Sequence, residues 1–325
     1  MTKSPGSNLQ GALFALLAFA IFATHDVVVK WLGAAYSPIQ IVFFATLMSF
    51  PIVTLMMIGD RTDGNLRPRL PFWTALRSLT AVITGVSAFY AFATLPLAQT
   101  YAILFASPLL ITILAIPLLG ETVRARRWAA VIVGLIGVLI VLRPGQAAFE
   151  LGHLAAITAA VTGATGSVAL RKIGNAERSA VILLFPMLAT LAAMGALLPF
   201  VYKPMPIAHF AGSGLIALLA FAAMLCVIAA YRRAEAVVIA PMQYSQILWA
   251  SLYGYLLFDE RPDLATAIGA GIIIASGIYI VRREGSLGAS RTRPVLRTGA
   301  RPETGTTPRA NPLAGGGEHP GQSRD

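Results

Sequence analysis

Leu97-Ala98-Gln99-Thr100-Tyr101 through Leu118-Leu119-Gly120-Glu121, and Ala236-Val237-Val238-Ile239-Ala240 through Leu256-Leu257-Phe258-Asp259-Glu260, are one kind of segment met twice. Each is a helix-length apolar run with polar or aromatic residues inside it. Each ends on a Glu and is followed closely by another apolar run containing glycines. Laying Glu121 on Glu260, an offset of 139, puts Tyr90-Ala91-Phe92-Ala93 on Ala229-Ala230-Tyr231-Arg232. At an offset of 141, Gly11 falls on Gly152, Lys30 on Arg171 and Phe44 on Phe185. A repeat of this length sets the architecture before any single residue is interpreted.

Composition says where such a chain can live. Of 325 residues 57% are hydrophobic and 12% charged, with a mean hydropathy of +0.73. Soluble domains carry about 25% charged residues. The apolar runs reach about 20 residues, enough to cross a ~30 Å hydrocarbon core as helix. They do not alternate as the strands of an outer-membrane barrel do. Ten spans are expected, at 9–32, 38–58, 71–93, 97–119, 127–142, 151–170, 179–201, 210–230, 236–258 and 264–281. The first is read as a retained span, since its apolar run exceeds a signal peptide's core and ends in His25-Asp26 and Lys30. One cysteine, Cys226, rules out a disulfide framework.

The net charge of +11 does not point to nucleic acid, because the basic residues flank the apolar runs or fill the tail. With the N-terminus in the cytoplasm, the inner loops hold Lys3, Arg61, Arg67, Arg69, Arg124, Arg126, Arg127, Arg171, Lys172, Arg178, Arg232, Arg233, Arg282 and Arg283. The outer loops hold only Lys30, Arg143, Lys203 and Arg261. The positive-inside rule selects both termini inside. Spans one to five repeat as six to ten, and five is odd, so the halves are inverted. Loop 124–127 holds three Arg where its counterpart 261–263 holds one. Inverted repeats are a transporter signature, with the site near the midplane between them. The expected organisation is a cytoplasmic N-terminus at 1–8, one repeat at 9–145, a second at 146–283 and a disordered basic cytoplasmic tail at 284–325.

Leu95-Pro96-Leu97-Ala98-Gln99-Thr100, Leu118-Leu119-Gly120-Glu121 and Gly134 to Val138 in one half are matched by Ala234-Glu235-Ala236 through Pro241, Leu256 to Glu260 and Ala275-Ser276-Gly277 in the other. This double pattern resembles the ten-span drug/metabolite transporter superfamily, in the branch built from two EamA domains. Ala23 to Trp31, Arg126-Arg127-Trp128, Val141 to Gly145 and Gln246 to Ala250 look most like its uptake branch, which includes bacterial riboflavin and S-adenosylmethionine transporters. The resemblance implies an all-α polytopic protein of the bacterial inner membrane, with ten transmembrane helices as two inverted five-helix EamA repeats. It also implies a central cavity lined mainly by spans 1, 3, 4, 6, 8 and 9. Asp259 departs from the Gly expected there, a change that costs little in a loop.

Asp26 is the one acid well inside a span, where an ionised group must face protein or a wet cavity. It either titrates with His25 to couple transport to protons, or pairs with Lys30 four residues on and pins the end of span one. His25, one residue away, points about 100° off on the helix. Arg77, Thr80, Thr84 and Ser87 form one stripe, and Thr158, Thr162 and Thr165 another. Either stripe lines a cavity or only bonds its own helix's carbonyls. Tyr90, Tyr101, Phe105, Tyr244, Gln246 and Trp249 suit a neutral planar ligand, with rings to stack on and amides for its edge. The alternative is an interfacial aromatic belt. Pro108, Pro117, Pro186 and Pro241 are expected to kink spans, while Gly163-xxx-Ser167 and Ala267-xxx-Gly271-xxx-Ala275 allow close helix contact.

The four His, at 25, 153, 209 and 319, are scattered, no carboxylates pair inside the membrane and no phosphate-binding loop occurs. No catalytic residue, metal or cofactor is therefore expected, and a membrane enzyme or sensor ranks below a secondary transporter. The partners expected are the bilayer and a small-molecule substrate, flavin-like in preference to S-adenosylmethionine because few charges lie in the membrane. Export of amino acids or drugs is the other direction, and a homodimer stays open beside a monomer.

Overall fold

Proline punctuates this chain, and most helices begin or bend at one. The computed structural model describes residues 5–58, 66–120, 125–143, 150–174, 176–234 and 236–286. Its helices are α1 (Pro5–Gly33), α2 (Pro38–Ile58), α3 (Pro71–Thr94), α4 (Leu97–Leu104), α5 (Ser107–Leu119), α6 (Ala125–Leu142), α7 (Leu151–Ile173), α8 (Ser179–Val201), α9 (Ile207–Arg233), α10 (Ala236–Ile239), α11 (Ser245–Phe258) and α12 (Leu264–Ser286). A 3-10 turn, Ala240–Tyr244, joins α10 to α11. Pro38 and Pro71 open α2 and α3, where a missing N–H is harmless and the fixed φ suits the first turn. Pro96 and Pro206 stand at the N-caps of α4 and α9.

The chain is a multi-pass membrane protein. Among the described residues, six stretches are long and apolar enough to cross a bilayer, including Leu9–Gly33, Leu97–Leu119 and Ile207–Arg233. Pro38–Thr54, Trp128–Leu142 and Leu264–Ile280 are shorter apolar helices, and the interrupted run from α10 to α11 completes ten crossings. Leu79, Ile132, Ile136, Leu139, Leu218 and Leu252 are exposed on the outside of the bundle, where lipid replaces water as the solvent.

The two halves are interleaved. α1 packs along α9 and α3 along α7, while α2 packs on α8 and α6 on α12. Inverting the halves exchanges the first two pairs and maps each of the last two on itself. Every long seam therefore joins half to half, and the main core spans both, from Phe89, Phe92 and Leu104 to Tyr244 and Ile273.

Two end positions differ from the sequence reading. α1 begins at Pro5 rather than 9, and α12 runs through Ser286 into the segment read as tail. A formed helix gains one hydrogen bond per added residue, so it extends readily past the apolar run. Residues 287–325, like Glu121 and Arg124, lie outside the described residues.

The small-residue seam also sits elsewhere. Ala267, Gly271 and Ala275 are exposed on α12. The close contact with α6 runs through Gly269, where an added Cβ would stand 2.6 Å from the Gly137 carbonyl oxygen. Ser276 Oγ donates to the Ala130 carbonyl at 2.5 Å along the same seam. Backbone cannot swing aside as a side-chain tip can, so Gly269→Ala is expected to destabilise the fold by about 1–3 kcal/mol. Gly271→Ala, with open space around it, is expected to be neutral or slightly stabilising. Thermal unfolding in detergent compares the two directly, and the reverse order would contradict this packing.

Candidate functional site

Spans four and nine break at matching places. In span four, Pro108 removes the N–H that would reach the Leu104 carbonyl, and the chain tightens. Ala106 N–H bonds to Ile103 O and Leu109 N–H to Ala106 O, each at 3.0 Å. In span nine, Pro241 does the same within the 3-10 turn. At the repeat offset of 139, Phe105 answers to Tyr244, and both lie at the breaks. Interrupted helices at corresponding positions of two repeats are the best structural pointer to a transport site.

Between the breaks and one face of the bundle lies a buried polar chain. Asp26 is 0% exposed and His25, Tyr101 and Gln246 are each 1% exposed. His25 Nδ1 meets Asp26 Oδ1 at 2.7 Å. The Tyr101 hydroxyl donates to Asp26 Oδ2, and Gln246 Nε2 points at that hydroxyl from the other half at 3.4 Å. With an ionised Asp26, His25 is the donor and carries its proton on Nδ1. Its Nε2 is buried with no hydrogen-bond partner among the described residues. The 100° between neighbouring residues did not keep His25 from Asp26, because the imidazole folds back to its neighbour's carboxylate.

Rings continue this chain across the halves. Phe89 stands edge-on to His25 at 6.1 Å. Phe92 packs on Tyr101 at 5.2 Å, Tyr101 on Phe105 at 5.8 Å and Phe105 on Tyr244 at 5.2 Å. Phe89 and Phe92 escaped the sequence reading, since apolar rings in an apolar span carry no local signal.

Lys30 has a different partner from the one the spacing suggested. Its Nζ lies 2.8 Å from Glu260 Oε1 and donates to the Leu95 carbonyl at 2.7 Å. Glu260 Oε2 accepts the Leu97 N–H at 2.8 Å. Asp259 makes this possible with a left-handed backbone, φ 53°, at the end of α11; Gly120, its repeat counterpart, has φ 69°. The departure thus sits at a helix cap rather than in a slack loop, a conformation that Asp tolerates better than most residues. On this same face, further contacts cross between halves. Tyr36 Oη bonds His209 Nδ1 at 2.7 Å, and Gln40 exchanges two bonds with the Lys203 backbone. Gln99 meets His153, and Arg143 pairs with Asp263. Burial works against ionisation of Asp263, but hydrogen bonds from Thr266 and the Arg143 charge outweigh it and hold the carboxyl below its ordinary value.

The hydroxyl stripes meet each other. Thr84 and Thr162 Oγ1 lie 2.7 Å apart across the α3–α7 seam. Thr162 also bonds the Thr158 carbonyl, so Thr84 is the donor to Thr162. Thr80 faces Gly166 on the same seam, and Thr165 turns back on the Val161 carbonyl. Thr80, Thr84 and Thr162 thus stand on the α3–α7 seam. Tyr90 is half-buried on α3, and none of its described contacts joins it to the Asp26 chain.

The EamA-like transporter family model matches the chain twice, over residues 9–143 and 150–282. The chain is 26% identical over 289 residues to the S-adenosylmethionine uptake transporter of Rickettsia prowazekii, covering 87% of this chain and 96% of that one. It is 29% identical over 286 residues to the riboflavin transporter of Vibrio cholerae, covering 85% and 94%. It is 25% identical over 277 residues to the pseudopaline exporter of Pseudomonas aeruginosa, covering 84% and 96%. A crystal structure 20% identical in sequence superposes with a TM-score of 0.54, covering 86% of this chain and 98% of the other, a likeness of fold. Two family matches, on two inverted halves that meet at paired helix breaks, make one conclusion. This chain belongs to the EamA-like transporter family and is a secondary transporter of small metabolites, not an enzyme.

Proposed function

We propose that this protein takes up a planar heteroaromatic metabolite, a riboflavin-type flavin first, across the bacterial inner membrane by alternating access. The contact of Phe105 with Tyr244 carries the reading. One ring belongs to each half, and each stands at the break in its span, so the pair joins the two interrupted helices. A flat ligand admitted there replaces a ring–ring contact with two ring–ligand contacts. Tyr101 and Gln246 stand beside it to meet the polar edge of such a ring. Both termini are placed in the cytoplasm, on the strength of the basic loops. His25 and Asp26 are the proton-coupling groups of this reading.

A second substrate, S-adenosylmethionine, is favoured by one observation. Lys30 is engaged by Glu260, so the charged group that His25 and Tyr101 surround in the buried chain is a carboxylate, of the sign that complements a cationic ligand. Uptake of labelled riboflavin is measured in an auxotroph lacking its own importer, with S-adenosylmethionine uptake measured alongside in proteoliposomes. Flavin uptake that excess S-adenosylmethionine does not suppress is expected. Absence of flavin uptake by correctly inserted protein defeats the first substrate, and S-adenosylmethionine uptake in its place establishes the second.

A further inference from the structure

We propose that Lys30, Glu260 and the backbone at Leu95 and Leu97 form the latch of a gate that must open before a ligand reaches Asp26 from their face of the membrane. The inference rests on alternating access, and its naming as the outer gate rests on the orientation proposed above.

Lys30 lies four residues beyond Asp26 on α1, about 6 Å along the helix and on the same side of it. The latch therefore sits one turn above the buried chain, and beneath it Asp26, His25 and Tyr101 are closed off. Lys30 and Leu95–Leu97 belong to one half, Glu260 to the other, so the contact ties α1 and the α3–α4 corner to the end of α11.

Its chemistry is more than an ion pair. Leu95 is the extended C-cap of α3, and Leu97 opens α4 after Pro96. A helix ends on carbonyls without donors and begins on N–H groups without acceptors. Lys30 takes the carbonyl at the end of α3 and Glu260 the N–H at the start of α4. Cation at a C-terminus and anion at an N-terminus are the favourable signs for both helix dipoles. The pair is mostly buried, 13% and 14% exposed, and Lys30 also lies 5.4 Å from the Phe258 ring centre. Closed, the latch gives each of these groups a protein partner. Opened, it hands all of them to the aqueous side at once, as a two-state contact should.

Ala98 is the reporter. It is 3% exposed and lies beside Glu260 in a small pocket with Pro96, Gln99 and Gly254. In a Cys226→Ser background, Ala98→Cys is labelled with a membrane-impermeant maleimide from each side of oriented vesicles. Labelling from the Lys30 face is expected to be slow, and to rise about ten-fold with Glu260→Gln or Lys30→Met, the population shift from losing a charge-assisted bond. The exchange Lys30→Glu with Glu260→Lys restores a pair but reverses both helix-end contacts, so labelling is expected to stay fast. Unchanged labelling in Glu260→Gln overturns the latch, and full restoration by the exchange overturns the part assigned to the backbone. Acceleration seen only from the cytoplasmic side overturns the orientation and leaves the latch standing. Should Glu260→Gln fail to insert, Glu260→Asp carries the same test, since its shorter chain cannot reach Lys30 and Leu97 together.

Discussion

Replacing Asp26 with Asn is expected to abolish gradient-driven accumulation of the transported metabolite while leaving its passive equilibration across the membrane. Asn keeps the size of Asp and one acceptor oxygen, so the Tyr101 hydroxyl still finds a partner. What it loses is the capacity to take and release a proton. In the intact protein the carboxylate accepts from His25 and Tyr101 together. Adding a proton to it turns one acceptor into a donor, so one of those two neighbours must reverse its hydrogen bond or turn away, and a Tyr101 hydroxyl that reverses has to redirect its own proton. Tyr101 is the neighbour that touches Gln246 of the other half. Protonation is thereby tied to the contact between halves, which is what coupling requires. A purely structural Asp26 makes the opposite forecast: Asn conserves the packing, and gradient dependence survives. Counterflow and gradient-driven uptake measured on one preparation of proteoliposomes decide between them. Asp26→Ala is a poorer probe of coupling, because it leaves His25 Nδ1 and the Tyr101 hydroxyl buried without this partner, at a cost of about 1–3 kcal/mol each.

How Asp26 and Lys30 were read, and what they do, measures how far the sequence reaches. Ten spans and their inversion were legible, because hydropathy and the side on which arginines fall are properties of the chain itself. The breaks in spans four and nine were legible only as kinks at Pro108 and Pro241. Whether a missing hydrogen bond bends a helix or parts it depends on what packs around it. The four-residue spacing of Asp26 and Lys30 is equally real, but it offered only a local partner. Glu260 lies in the other half, and nothing in either segment announces the Leu95 carbonyl waiting between them.

The same limit explains the threonines and the glycines. Periodicity put Thr84 and Thr162 on helix faces, yet it names no opposing surface, and here those two hydroxyls meet each other. On α12 the sets 267, 271, 275 and 269, 273, 276 have similar spacing. In a membrane both the lipid face and the packed face are apolar, so the hydrophobic pattern that sorts them in a soluble helix is missing.

Gly277→Ala is expected to lower transport at least about ten-fold and stability by about 1–3 kcal/mol, the usual range for overpacking a closed core. A Cβ at position 277 would meet the Tyr244 hydroxyl, with the ring carbon that bears it 2.6 Å away. Tyr244 is 8% exposed, and Phe105 holds its other side at 5.2 Å. A ring displaced by that methyl disturbs its contact with Phe105, across which the proposed ligand enters. Gly277 thus makes room for the Tyr244 ring, a contact its place in the repeated motif does not announce. Tyr244→Leu separates packing from function, because it removes the atoms the new methyl would strike. Stability of the double variant should exceed the sum of the single losses by about 0.5–3 kcal/mol, the coupling usual for residues in contact. Transport should not return with it, since the ring that faces the ligand is gone. If transport recovers along with stability, Tyr244 is packing alone, and the ligand-binding role of the Phe105–Tyr244 pair falls.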